Sequence, residues 1–309
     1  MSFILGHSFA HAADVHNVLI LNSYHAGFKG TDDMVAGVKK VFEKSGLTIN
    51  TKIEYLDSKH YSGPAHDKLV LDTLRAKYHQ HNFELLLVAD DYAFNLVEKH
   101  RDELFGKIPV VFAGTNYFNG ARLLGKTDYI GIDESPSFAD TIALILSLHP
   151  DTKRVVAIHD DTVTGQLNSR AFHDAAKSFA SRVQIDSLAG LLMQDLHKAV
   201  EEFQPGTVAV YFASNVKEKS GGNLSSNDAL RSIAAISPIP IYGGWEFSLG
   251  HGIVGGRLID LYGHGMAAGQ LAARLLRGEA AQTLSGLSPS PNTYLFDQVQ
   301  LDRFNINAA

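Results

Sequence analysis

Short, wholly apolar runs recur along this chain with stretches of helical spacing between them, and that alternation restricts the fold more than any other feature. A run such as LLLVA at 85–89 has no polar alternate residue, so both of its faces must be covered. Crossover helices on both sides of a parallel sheet provide that cover. The spacing predicts strands at 18–21, 49–55, 85–89, 109–113 and 129–132. Helices are expected at 32–45, 65–79, 92–100 and 137–148, the last capped by Ser135 or Ser137. From Lys153 the series restarts, with strands at 154–158, 183–188, 207–212 and 239–242 and helices at 165–180, 191–203, 227–235 and 259–276. The fold class read from this pattern is α/β, two doubly wound parallel-sheet lobes. A length of 309 residues accommodates two such lobes.

Composition excludes several alternatives. The 27 Lys and Arg residues are scattered, whereas a nucleic-acid surface needs them clustered. Cysteine is absent, which removes disulfides, thiolate nucleophiles and Cys-based zinc sites, and suits an export route. A short apolar stretch, Phe3 to Leu5, precedes Ala10-His11-Ala12, which has the small-x-small form of a signal-peptidase site. Residues 1–16 are therefore read as a signal-peptide remnant or a disordered tail, and the location as periplasmic or extracytoplasmic. No run reaches the roughly 18–20 apolar residues needed to span a bilayer.

In open parallel sheets, ligands bind outside the carboxyl ends of the strands. The residues following the expected strands are Ser23, Tyr24 and His25; Asp90, Asp91 and Tyr92; Gly114, Thr115, Asn116 and Tyr117; His159, Asp160, Asp161 and Thr162; Ser214 and Asn215; and Trp245 and Glu246. The serines, threonines and asparagines offer neutral donors and acceptors, the aromatic residues offer apolar faces, and the acids could meet a cation. Such a mixture suits a small polar organic solute with an amine or a ring. Asp90 or Asp91 can instead cap the following helix, and Trp245, the only tryptophan, can instead be packing. Adjacent residues such as His159, Asp160 and Asp161 converge poorly on one ion, so neither metal nor cofactor is expected.

The motif G-x-G-x-x-G occurs at Gly250–Gly255, but "GIVGGRLID" reads as a glycine-bounded turn or short strand and lacks the strand–turn–helix context of a dinucleotide site. Asn223-Leu-Ser225 matches a glycosylation acceptor within "KEKSGGNLSSND", which reads as a flexible loop.

The segments "VLILNSYHAGFKGTDDMVAGVKKVF", "IEYLDSKHY", "LLLVADDYAFNLVEKHRDELFGKIPVVFAGTNYF", "LHPDTKRVVAIHDDTVTG" and "YLFDQVQLDRFNI", in that order, carry a resemblance. Together they resemble the ABC transporter substrate-binding protein family of type I periplasmic-binding fold. The nearer likeness is to its branch of extracytoplasmic sensor domains of histidine kinases and diguanylate cyclases. The resemblance implies two lobes joined by a hinge, lobe 1 at 17–134 plus 257–283 and lobe 2 at 135–256 plus 284–309. It also implies a binding protein or sensor domain that closes on an amino acid, nucleoside or aromatic acid and passes its state to an ABC permease or to a membrane kinase or cyclase. The alternative is a hydrolase on a doubly wound scaffold using a rim Asp and a His. Against it, no activated Ser, Cys or Lys arrangement stands out.

Overall fold

The computed structural model describes residues 14–284 and 286–308. Most of the 1–16 segment lies outside the described residues, and Val15 and His16 already belong to the first strand. In chain order the elements are β1 (Val15–Asn22), α1 (Lys29–Lys44), β2 (Thr48–Tyr55), α2 (Pro64–Tyr78), β3 (Leu85–Ala89), α3 (Asp90–Leu104), β4 (Val110–Asn116) and β5 (Tyr129–Glu134). Then come α4 (Phe138–Leu148), β6 (Arg154–His159), α5 (Val163–Ala176), β7 (Gln184–Ala189), α6 (Met193–Glu201), β8 (Thr207–Tyr211), β9 (Asn215–Lys217), β10 (Asn223–Ser225), α7 (Ser226–Ile236) and β11 (Ile241–Gly243). The chain continues through β12 (Gly255–Leu258), α8 (Leu261–Leu276), β13 (Leu287–Ser288), β14 (Thr293–Phe296) and α9 (Gln298–Arg303).

These elements form two compact units, the first running to Glu134 and including Leu261–Pro289, the second comprising Ser135–Asp260 and the residues from Ser290. In unit 1 a six-stranded parallel sheet has the order β13-β5-β4-β3-β1-β2. Its inner strands β1, β3 and β4 carry continuous buried apolar runs because each face has its own core, whereas the edge strand β2 is polar at alternate positions. Val18 and Ile20 point with Leu85 and Leu87 into one cluster that includes Met34 and Val38 of α1 and Ala268 and Ala272 of α8. Leu19, Leu21, Leu86 and Val88 point the other way, toward α2 and α3. Each such fully buried side chain stabilises the fold by roughly 1.5–3 kcal/mol.

Unit 2 repeats the design on a four-stranded parallel sheet, β11-β8-β6-β7. Val156 and Ile158 pack with residues of α6 and α7, and Val155 and Ala157 with residues of α4 and α5.

The unit boundaries differ from the sequence expectation in two places. Residues 257–260 belong to unit 2, because β12 pairs antiparallel with β14 there. Residues 284 and 286–289 belong to unit 1, because β13 adds to the sheet beside β5. The segment read as a flexible loop contains the β9–β10 hairpin, Asn215 pairing with Ser225. The third helix starts at Asp90, two residues earlier than its apolar spacing indicates. Among the described residues, no helix is long and apolar enough to cross a membrane.

Candidate ligand-binding rims

In unit 1 the strand order reverses between β1 and β3, and at such a switch point the loops diverge to leave a crevice beyond the carboxyl ends. Ser23, Tyr24 and His25 leave β1 there, and Asp90 and Asp91 follow β3. Ser23 is fully buried and spent on structure: its hydroxyl donates to the Ala89 carbonyl at 2.7 Å and accepts from the Ala93 amide at 2.9 Å. That second bond ties β1 to the first turn of α3, whose N-cap, Ala89, has no side-chain cap. A serine seventy residues away in sequence thus anchors the start of the helix that carries both aspartates.

Asp90 holds a left-handed backbone, φ 69°, a conformation tolerated by Asp and Asn more than by most residues. Opposite it, Gly114 also has positive φ, 77°, and a Cβ there would lie 3.3 Å from the Asp90 amide and 3.0 Å from the Met34 methyl. Gly114 therefore serves the close approach of two strand ends, at an irregularity in the β4–β5 register between Phe112 and Thr115. The Tyr24 hydroxyl donates to the Asp90 carboxylate. Burial, then the Asp91 charge, push the Asp90 carboxyl up to about 7, against the opposing pull of Lys59 and Tyr24. Asp91 is also raised, by burial, although Asn116 donates to it at 3.3 Å and Arg122 lies near. The Tyr24 hydroxyl is pushed well up by burial and by the charges of Asp90, Asp91 and Glu134. Three carboxyl groups, Asp90, Asp91 and Glu134, act on this tyrosine, and the Lys59 ammonium, which interacts with Asp90, sits 4.3 Å above the Tyr24 ring and 4.5 Å above Phe28.

Other expected members fare differently. Tyr92 turns toward α2, donating to Asp67 at 2.7 Å. Thr115 is buried, with its hydroxyl unpartnered. Tyr117 has positive φ, 47°, and a hydroxyl pushed up by burial and by Asp133 and Glu134. His25 lies beside Asp57 and stacks on His60 at 4.2 Å. The imidazoles of this rim gather on Asp57, while the groups that set the Asp90 charge are Asp91, Lys59 and Tyr24. Asp57, Lys59 and His60 escaped the sequence reading, yet "DSKH" follows the second expected strand, and the carboxyl-end rule applied there finds them.

In unit 2 the corresponding switch lies between β6 and β8. Asp160 is a tie between their loops: its carboxylate accepts from the Ser214 amide at 2.5 Å and hydroxyl at 2.6 Å, from the Thr162 amide at 2.9 Å, and from the Thr162 hydroxyl. Burial alone would raise its pKa, but these four donors outweigh it and hold the carboxyl below its ordinary value. Thr162 meanwhile caps α5 through Gly165. Since a depressed carboxylate contributes stability above its unfolded pKa and loses it as pH falls through the folded one, Asp160→Asn should destabilise unit 2 at pH 7. The expected cost is about 1.5–3 kcal/mol, shrinking in acid, and thermal denaturation across pH checks it.

His159 is buried, bonded through Nδ1 to the Asp160 carbonyl oxygen and stacked on Phe212. Asp161 is exposed and paired with Lys217 at 3.2 Å. The cavity bounded by His159, Asp160, Asp161, Gly190 and Lys217 has a volume of about 10 Å³, room for about one water and no solute. Asn215 opens β9. Trp245 is half-buried against the core that includes Phe138 and Tyr242, its ring 6.3 Å from Phe247. Glu246 follows it, its amide bonded to the Ile259 carbonyl oxygen at 3.0 Å.

No family model matches the sequence, and no curated protein matches it. The fold, however, aligns with a ligand-free, open substrate-binding protein with adhesive properties from Clostridium difficile: TM-score 0.68, 14% identity, 95% of this chain and 96% of that one. The chain has the type I periplasmic-binding fold. The same fold aligns with an ABC domain in complex with L-Trp from Streptococcus pneumonia, at TM-score 0.60, 14% identity and 96% of both chains. It also aligns with an arabinose-binding protein from Geobacillus stearothermophilus, at TM-score 0.59, 13% identity, 94% of this chain and 99% of that one. One of these neighbours holds an amino acid and another binds a sugar, so the type I periplasmic-binding fold leaves the solute open and any solute must be argued from the rims.

Proposed function

We propose that this chain is an extracytoplasmic solute-binding protein or sensor domain for a small polar organic molecule carrying an amine. The cationic group engages Asp90 and Asp91, and Tyr24 lies alongside. One observation carries this reading: at the switch point of unit 1, a carboxylate is held in a left-handed conformation with its charge disfavoured by burial and by Asp91. A cation placed there supplies the missing counter-charge and draws the Asp90 pKa back down. Solute-binding proteins among the fold's neighbours support a binding role, with an ABC permease or a membrane histidine kinase or diguanylate cyclase as receiver of the bound state.

Native mass spectrometry of gently purified protein, followed by calorimetry with the identified molecule, tests the proposal. Affinity is expected to rise between pH 6 and 8 as Asp90 ionises. A co-purifying anion or neutral sugar, or affinity flat across that range, would overturn it. Trp245, the only tryptophan of the sequence, gives a fluorescence reporter of unit 2: a change of its emission on solute addition would bring that unit's rim into binding, and unchanged emission would confine binding to unit 1.

A further inference from the structure

We propose that His25, Asp57 and His60 form a binding site for one divalent first-row transition-metal ion, zinc being the best match, on the rim of unit 1. Parallel pairing of β1 with β2 sets Asn22 opposite Tyr55, so the loops that follow leave the sheet side by side. His25 comes from the first loop, Asp57 and His60 from the second. One ligand atom from each lies within 4.8 Å of the other two.

The geometry around these atoms favours an ion over a simple hydrogen-bonded trio. The His60 Nδ1 lies 2.7 Å from an Asp57 oxygen, and the His25 Nδ1 lies 3.4 Å from the same oxygen. Both imidazoles thus aim one nitrogen at one carboxylate oxygen. Yet the His25 Nδ1 is inaccessible to solvent and makes no hydrogen bond, a cost that a metal bond would remove. Asp57 is one of four described non-glycine residues with positive φ, here 53°, and that turn brings its carboxylate back between the two rings.

Two imidazoles and a carboxylate suit zinc, which takes nitrogen and oxygen ligands at about 2.0–2.2 Å and leaves a fourth position for water. Tetrahedral donors at that bond length stand about 3.3 Å apart, so the 2.7 Å separation of His60 from the Asp57 oxygen must widen by about 0.6 Å while no pair closes by more than about 1.5 Å. His60, exposed and on a loop, has the freedom to do so. The nearby cation, Lys59, has its ammonium over the Tyr24 and Phe28 rings.

Calorimetric titration of the full chain with Zn²⁺ alone, beside His25→Ala, Asp57→Asn and His60→Ala, tests the assignment. Asparagine keeps the left-handed turn, so Asp57→Asn separates loss of a ligand from loss of the loop. His173→Ala, at an exposed histidine of α5 in unit 2, serves as control. One zinc per chain is expected at this site, weakened at least about tenfold in each of the three variants and unchanged in the control. Zinc affinity unaltered by those three replacements, or no zinc binding by the unmodified chain, overturns the proposal. Neither result bears on the amine solute, whose binding is read separately at Asp90.

Discussion

Asp90→Asn is expected to weaken binding of an amine-bearing solute at least about tenfold at pH 8, while making the protein more resistant to heat at that pH. The two halves of this result have one cause. The Asp90 carboxyl rises from an ordinary 3.8 to about 7 in the folded chain, through burial first and then the Asp91 charge. Between those values the native state keeps a proton that the unfolded chain has lost. Stability therefore falls as pH climbs through this window, and the full penalty, roughly 2–4 kcal/mol, is present above pH 7. Asparagine cannot ionise, accepts the Tyr24 hydrogen bond and tolerates the left-handed backbone. The melting-temperature difference between variant and parent should be near zero below pH 4 and grow with pH. A variant that melts lower than the parent at pH 8, with solute affinity unchanged, would mark Asp90 as a structural residue.

A group placed at such a cost was only half legible in the sequence. The pair of acids after an apolar run announced a rim, because LLLVA needs a sheet and sheet ends collect ligands. Where those acids stand is fixed partly by Ser23, whose hydroxyl reaches the start of α3 only once β1 and β3 are paired. Long-range hydrogen bonds of this kind leave no mark at any local spacing. The same limit explains unit 2: Asp160 reads as a ligand contact in sequence, and only folding shows its oxygens filled by Ser214 and Thr162. Strands with two apolar faces were found readily, since burial on both sides dictates their composition. The two-residue β13 and the β9–β10 hairpin were missed because so short a strand has no period to detect. The unit boundaries slipped by a few residues for the same reason, each slip involving a short strand whose partner lies far away in the chain.

The largest loss of stability is expected from Gly265→Ala in α8. An added methyl usually favours a helix by up to about 1 kcal/mol over glycine, so the sign of the effect is diagnostic. A Cβ at Gly265 would sit 2.0 Å from the Met34 carbonyl oxygen of α1, and one at Gly37 would sit 2.2 Å from the Tyr262 carbonyl oxygen of α8. The two helices thus touch backbone to backbone, each supplying a glycine where the other's carbonyl passes. Because the obstructing atoms are main chain, no rotamer change relieves the clash, and α8 must move away from α1 along its length. The expected cost is about 3 kcal/mol, against less than about 0.5 kcal/mol for Gln270→Ala on the exposed side of the same helix. Calorimetric melting of the two variants distinguishes them. The displacement should also reach the rim, because the Met34 methyl lies directly over Gly114, which in turn borders the Asp90 amide. Solute affinity measured well below the melting temperature should therefore fall in Gly265→Ala and hold in Gln270→Ala. Equal affinity in both would confine the helix contact to stability and separate it from the chemistry of Asp90.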